Sequence, residues 1–102
     1  MTSRRIEELR LRIEEFRQQG QVSSKELRNL AEAIGRKLDG KGGHPMYVMK
    51  GRPRLPIPHH SAPIKRQTKE AILAILDGDL ATIEMAERQA VAKQNGHSKK
   101  YS

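Results

Sequence analysis

The chain has 102 residues, the length of one small domain, and only 3% of them are aromatic. It contains no cysteine, which excludes disulfide bonds and cysteine-based zinc sites. The N-terminus is charged, and no apolar run approaches the roughly 18 residues that a membrane span needs. These features predict a cytoplasmic protein with a thin core and no membrane partner.

The formal net charge of +8 is confined to one stretch of the chain. Residues 36–69 hold nine lysines and arginines against one acidic residue, Asp39, whereas the remainder holds 11 basic and 11 acidic residues. Positive charge concentrated in this way indicates a polyanionic partner, of which nucleic acid is the simplest. An ordinary solvated surface is the alternative interpretation.

Two helices are predicted ahead of the basic stretch. Residues 3–19 carry apolar side chains at helical spacing, which places them on one stripe: Ile6, Leu9, Ile13 and Phe16. This stripe is too short for a free-standing coiled coil, so it is expected to pack on its own domain or on a partner. A second helix is predicted from 24 to about 34, because Ser23 and Glu26 form a capping box and Gly35 is a suitable C-cap.

Three short antiparallel strands are predicted next, the first at 36–38 and the other two in a hairpin that begins near Met46. The third strand carries Pro56 and Pro58, two residues apart. Backbone N–H groups alternate between the two edges of a strand, so these prolines remove the donors from one edge only. The third strand is therefore predicted to be the outermost strand of the sheet.

Two further helices are predicted after the sheet. The third runs from Lys69 to Leu76 with Thr68 as its N-cap, and Asp77-Gly78-Asp79 interrupts it. A fourth helix then follows from about 80 to 93, capped by Asp79.

The predicted fold is therefore α+β, with an α-β-β-β-α core and extra helices at both ends. Its segments are an N-terminal helical extension at 1–20, a core domain at 23–77, a C-terminal helix at 79–94 and a disordered tail at 95–102. Both helices of the core are expected to cover the same, apolar face of the sheet.

A candidate catalytic residue, His44, follows Gly42 and Gly43 at the end of a glycine loop. Successive N–H groups in such a loop can hold a phosphate, and a histidine beside it can transfer protons near neutral pH. With RNA as the substrate, metal-free cleavage needs a base for the 2′-OH, an acid for the leaving oxygen and cations for the phosphorane. The alternative is a surface histidine without a catalytic role.

Other side chains of the basic stretch can complete such a site. Candidates for the second proton-transfer group are His60, His59 and Tyr47. Tyr47 is also a candidate for stacking on a base, with packing in the sheet as the alternative. Candidate RNA or phosphate ligands in addition to Tyr47 are Lys41, Gly42, Gly43, Arg52, Arg54, Lys65 and Arg66. Adjacent strand residues point to opposite faces, so His59 and His60 do not indicate a metal site, and no cofactor is expected.

Three short motifs give the chain a family resemblance. Gly42-Gly43-His44, the Pro58-His59-His60 triplet and Thr68 at a helix start resemble the HicA family of bacterial toxin–antitoxin toxins over about residues 23–77. The resemblance implies a fold like the double-stranded-RNA-binding domain, mRNA cleavage that depends on His44, and inhibition by a HicB-like antitoxin.

The chain departs from the family pattern at four points, one of which is a short first strand without its usual aromatic. Gly43 replaces the usual serine of the triplet, Pro45 follows the histidine, and an extra helix is expected at each end of the core. The terminal helices are candidates for homodimer or antitoxin contacts.

Two other functions stay open at this level. One is a module of the same fold that binds RNA without cutting it. The other is a helical DNA-binding transcription regulator, in which the first two helices form a helix-turn-helix and the hairpin forms a wing. The nearly balanced charge of those two helices argues against the regulator. A substrate with 2′-deoxyribose separates cleavage from binding, because only the cleavage reaction needs the 2′-OH.

Overall fold

Three helices and a three-stranded antiparallel sheet make up the fold, in a computed structural model that describes residues 1–40, 45–59 and 62–99. In chain order the elements are α1 (Ser3–Gln18), α2 (Ser24–Ile34), β1 (Lys37–Asp39), β2 (Met46–Val48), β3 (Leu55–Pro56) and α3 (Arg66–Lys99). The predicted α+β class is confirmed.

The first two helices begin at side-chain caps. The side chain of Thr2 accepts a hydrogen bond from the backbone N–H of Arg5, and Ser23 Oγ accepts one from Glu26 N at 3.1 Å. Gly35 ends α2 with a φ of 121°, a conformation that a residue with a Cβ rarely adopts. The predicted start and stop of α2 are therefore confirmed.

The strands pair in the order β1-β2-β3, so β3 is an outermost strand as Pro56 and Pro58 predicted, although Pro58 lies just beyond its end. At one end of the sheet, Asp39 pairs with Met46 and Met46 with Pro56; we name this the loop end, because residues 41–44 connect β1 to β2 there. At the other end Lys37 pairs with Val48. We name that the turn end, because the β2–β3 turn lies there.

One continuous core joins all three helices to one face of the sheet. Tyr47, Leu55 and Ile57 are buried on that face and belong to the same cluster as the helices' apolar side chains. These helical members are Ile6, Leu9, Ile13, Phe16, Leu27, Leu30, Ala31, Ile34, Ile72, Leu73, Leu76 and Leu80. The first helix therefore packs on its own domain, and α1 contributes four large side chains to the core.

Polar contacts also attach α1 to α3. The side chain of Lys69 is buried and donates to the carbonyl of Gln19 at 2.9 Å, just beyond the end of α1. Arg10 forms a bidentate ion pair with Glu84, Nη1 to Oε2 at 3.0 Å and Nη2 to Oε1 at 3.3 Å. Hydrogen bonding to Arg10 lowers the pKa of the Glu84 carboxyl below its usual value.

The third helix is longer than predicted and has no break. It begins at Arg66, so Thr68 lies inside it rather than at its N-cap, and it continues to Lys99. The fourth helix predicted at 79–94 is the second half of α3, and the tail predicted to start at 95 is helical to Lys99. Residues 100–102 lie outside the described part of the chain.

The predicted break at Asp77-Gly78-Asp79 is wrong because Asp79 is occupied elsewhere. Its carboxylate is fully buried and accepts from the guanidinium of Arg36, Nε to Oδ2 at 2.6 Å and Nη2 to Oδ1 at 2.8 Å. Arg52 Nε donates to the same Oδ1 at 2.7 Å. Asp79 thus forms the centre of an ion cluster and caps nothing.

The same cluster fixes the turn end of the sheet. Arg36, whose side chain is 0% exposed, also donates from Nη1 to the carbonyls of Tyr47 at 2.7 Å and Pro53 at 2.8 Å. Arg52 lies across α3 at Gly78, where an added Cβ would stand 2.5 Å from its Nη2. Glycine at this helical position therefore leaves room for the arginine.

Of the helices formed by residues 1–40, 45–59 and 62–99, none combines the length and apolar character needed to cross a lipid bilayer.

Candidate nucleic-acid interface

Three of the described candidate residues, His59, Lys65 and Arg66, lie at the loop end of the sheet. The start of α2 lies there, because the hydroxyl of Ser24 donates to the carbonyl of Pro58 just beyond β3. The segment that leads into α3 lies there too, since Ile64 N donates to the carbonyl of Val22 at 3.0 Å. The loop end therefore gathers the exit of β3 and the beginnings of two helices.

His59 is held at this end by a ring contact with Tyr47. The two ring centroids are 6.2 Å apart and the ring planes differ by 26°, within the range of offset stacking. Tyr47 is 1% exposed, whereas His59 is exposed. A buried ring thus supports an imidazole that faces solvent.

Tyr47 itself is a core residue, which excludes the predicted stacking of its ring on a base in this conformation. Burial raises the pKa of its phenol, Glu32 raises it further, and Arg28 acts in the opposite direction. The phenol therefore stays protonated at neutral pH. Tyr47 is a poor candidate for the second proton-transfer group.

Ser24 and Arg28 belong to this site although no sequence motif singles them out. Arg28 Nε donates to Ser24 Oγ at 3.1 Å, and its positive charge acts to lower the pKa of the Tyr47 phenol. The two residues are one helical turn apart, which is the only sequence signal that connects them. Ser24, supported by Arg28, thus holds the Pro58–His59 segment from the side of α2.

The basic residues of 36–69 divide into structural and exposed groups. Arg52 belongs to the structural group, because its guanidinium is committed to Asp79 and to the carbonyl of Ile75 at 3.1 Å. Arg36 and Lys69 are buried and belong there too. Arg52, one of the predicted RNA ligands, therefore has a structural role in the fold.

The exposed group has members at both ends of the sheet. Lys65 and Arg66 are exposed at the beginning of α3, on the loop end. Arg54 is exposed and pairs with Asp39 Oδ2 at 3.0 Å. Lys37 and Lys50 are exposed at the turn end. Of the predicted RNA ligands, Lys65 and Arg66 lie at the start of α3 on the loop end, and Arg54 reaches that end through Asp39.

Five of the predicted site residues lie outside the described residues: Lys41, Gly42, Gly43, His44 and His60. Gly40 and Pro45, which flank the first four of these, lie at the loop end. Where side chains are described, no three of His, Asp or Glu are grouped closely enough to hold a metal ion.

The chain matches no family model, no curated protein and no solved structure.

Proposed function

We propose that this chain is a HicA-like, metal-independent endoribonuclease that binds and cleaves mRNA in the cytoplasm, with His44 as a general acid or base. A HicB-like antitoxin is the proposed inhibitory partner. One observation carries the proposal: the sheet end at which residues 41–44 connect β1 to β2 also presents His59, Lys65 and Arg66. Proton-transfer groups and cations are thus expected on one surface.

The order of elements supports the same proposal. The run α2-β1-β2-β3-α3, with both helices on one face of an antiparallel sheet, is the arrangement expected of a double-stranded-RNA-binding-domain-like core. A fold alone does not define an activity, so the chemistry rests on the loop end.

The chemistry at that end fits RNA rather than DNA. A base removes the 2′-OH proton, the oxygen attacks the adjacent phosphorus, and an acid protonates the leaving 5′-oxygen. Cations at the start of α3 stabilise the charge that develops on the phosphorane. Because DNA lacks the 2′-OH, this reaction requires RNA.

Replacing His44 by alanine is expected to lower the rate of RNA cleavage by about 10²–10⁴-fold, the usual contribution of a general acid or base. The assay uses labelled single-stranded RNA in EDTA, beside the same sequence as DNA. His97→Ala, in the last turns of α3, is the matched histidine control and should cleave like the wild type. Cleavage that survives His44→Ala would place the activity elsewhere.

Removing charge at the loop end is expected to weaken RNA binding more than removing it at the turn end. The double variant Lys65→Gln/Arg66→Gln should bind RNA less tightly, and the slope of log K against log salt should fall by about 0.7 for each phosphate that it no longer neutralises. The matched control is Lys37→Gln/Lys50→Gln, which removes the same charge at the turn end. Equal effects in both variants would argue for a diffuse charge effect and against the loop end as the RNA surface.

The second candidate function, an RNA-binding module without cleavage, is favoured by one observation. Arg52, a cation expected to stabilise the phosphorane, is instead held by Asp79. RNA binding without cleavage by the wild-type chain would support this module. Tighter binding to duplex DNA than to RNA would instead support the transcription regulator.

A homodimer through the terminal helices remains a proposal. The apolar stripe of α1 is buried in the core of its own domain, so it is not available for contact with a second copy. Among the described side chains of α3, Met85 is a large apolar one at 62% exposure and is a candidate for such a contact.

A further inference from the structure

We propose that His59 is the second catalytic proton-transfer group of the cleavage reaction, in the role complementary to that of His44. This inference rests on the proposed function. It singles out an imidazole that follows Pro58, is exposed at the loop end and is stacked on a buried tyrosine.

Three restraints hold His59 in place. Pro58 fixes its own φ and restricts the backbone immediately before His59. The carbonyl of Pro58 accepts a hydrogen bond from Ser24, which ties the segment to the first turn of α2. The ring of Tyr47, 1% exposed, provides a rigid surface for the imidazole at a centroid distance of 6.2 Å. A group held in this way meets a substrate without first losing rotational freedom.

Comparison with the other candidate for the second proton-transfer group also favours His59. The other described candidate, Tyr47, is buried and its pKa is raised, so it neither reaches a substrate nor exchanges a proton near neutral pH. His59 is exposed, so its imidazole can reach a substrate. Lys65 and Arg66, on the same end, supply positive charge for the phosphate that such an imidazole would face.

The proposed step balances without a metal or a co-reactant. One imidazole takes the proton of the 2′-OH as O2′ forms its bond to phosphorus. The bond from phosphorus to O5′ breaks as the other, protonated imidazole donates its proton to O5′. The products are a 2′,3′-cyclic phosphate and a 5′-hydroxyl, and the pair of imidazoles ends with its protonation states exchanged.

His59→Phe separates the chemical role of His59 from its contact with Tyr47. Phenylalanine keeps a ring on Tyr47 but has no nitrogen, so kcat should fall by about 10²–10⁴-fold with KM little changed. His59→Gln, which keeps a polar side chain but cannot carry the proton, should show the same reduction. Urea unfolding should give the same midpoint for wild type and His59→Phe, because His59 is exposed.

A substrate with sulfur in place of the leaving 5′-oxygen identifies which proton His59 moves. A thiolate leaves without protonation, so His59→Phe should cleave this substrate at nearly the wild-type rate if His59 is the acid. If His59 is the base, the reduction in rate should be as large as with ordinary RNA. Either result supports proton transfer by His59.

Two outcomes would overturn the inference. One leaves the proposed cleavage function intact, and the other overturns it as well. If wild type cleaves and His59→Phe cleaves equally well, His59 is not catalytic although the proposed function stands. A large reduction in His60→Phe instead would assign the role to His60. A wild-type chain that binds RNA in EDTA without cleaving it would overturn both the proposed cleavage and the role of His59.

Discussion

Asp79→Ala is expected to lower the free energy of unfolding by about 3–5 kcal/mol, the usual cost of removing one partner from a buried ion pair. Arg36 is fully buried and directs two of its nitrogens at this carboxylate. Without Asp79 it keeps only the carbonyls of Tyr47 and Pro53, so a full positive charge stays buried and uncompensated. Arg52 loses the same partner.

The measurement is urea unfolding followed by circular dichroism, with Asp77→Ala as the matched control. Asp77 is on the same helix, one residue before Gly78, and is half-buried, so its replacement should change stability by less than about 0.5 kcal/mol. Similar losses of stability in the two variants would contradict the special role of Asp79.

A second variant separates the buried charge from the packing around it. Arg36→Met combined with Asp79→Leu removes both charges and leaves apolar side chains of similar length. Replacing both members of a buried pair is often close to neutral. The double variant should therefore be more stable than Asp79→Ala. If it is less stable, the hydrogen bonds from Arg36 to the two carbonyls contribute more than the ion pair.

This cluster also explains why part of the fold was mispredicted. Asp77-Gly78-Asp79 is a strong local signal for a turn and a new N-cap. The residue that overrides it, Arg36, lies 43 positions earlier in the chain. A contact between residues so far apart in the chain produces no periodicity or short spacing in the sequence from which it could be predicted. Local reasoning is reliable where the stabilising partner is local, as at the Ser23 cap of α2.

Charge counting overestimated the exposed basic surface for the same reason. It treated the nine basic residues of 36–69 as equivalent, but Arg36, Arg52 and Lys69 hydrogen-bond inside the fold. Composition reveals how many charges a stretch carries, whereas burial decides which of them a ligand can meet. The prediction from Pro56 and Pro58 was confirmed, because a missing N–H acts only on the backbone edge of its own segment.

The contacts around His59 could not be predicted from the sequence, although Pro58 and His59 belong to a motif that was singled out there. The contact of Tyr47 with His59 depends on strand pairing that places residues 12 positions apart side by side. The involvement of Ser24 and Arg28 depends on the packing of α2 against the sheet.

Ile13→Ala is expected to lower the free energy of unfolding by about 2–5 kcal/mol, although residues 1–20 were predicted to be an extension of the core. Ile13 is 1% exposed and lies in the same apolar cluster as Leu73 and Leu76 of α3. Truncating it leaves a cavity between α1 and α3. Because α1 packs on the same core, the destabilisation should appear in the main unfolding transition.

The matched control for Ile13→Ala is Leu11→Ala. Leu11 lies on the same helix at 64% exposure, and leucine and alanine have similar helix propensities. Its replacement should change stability by less than about 0.5 kcal/mol. An early loss of helical signal in Ile13→Ala, followed by an unchanged main transition, would instead show that α1 unfolds separately. If one transition shifts in Ile13→Ala and none in Leu11→Ala, α1 is a structural part of the domain that presents the loop end.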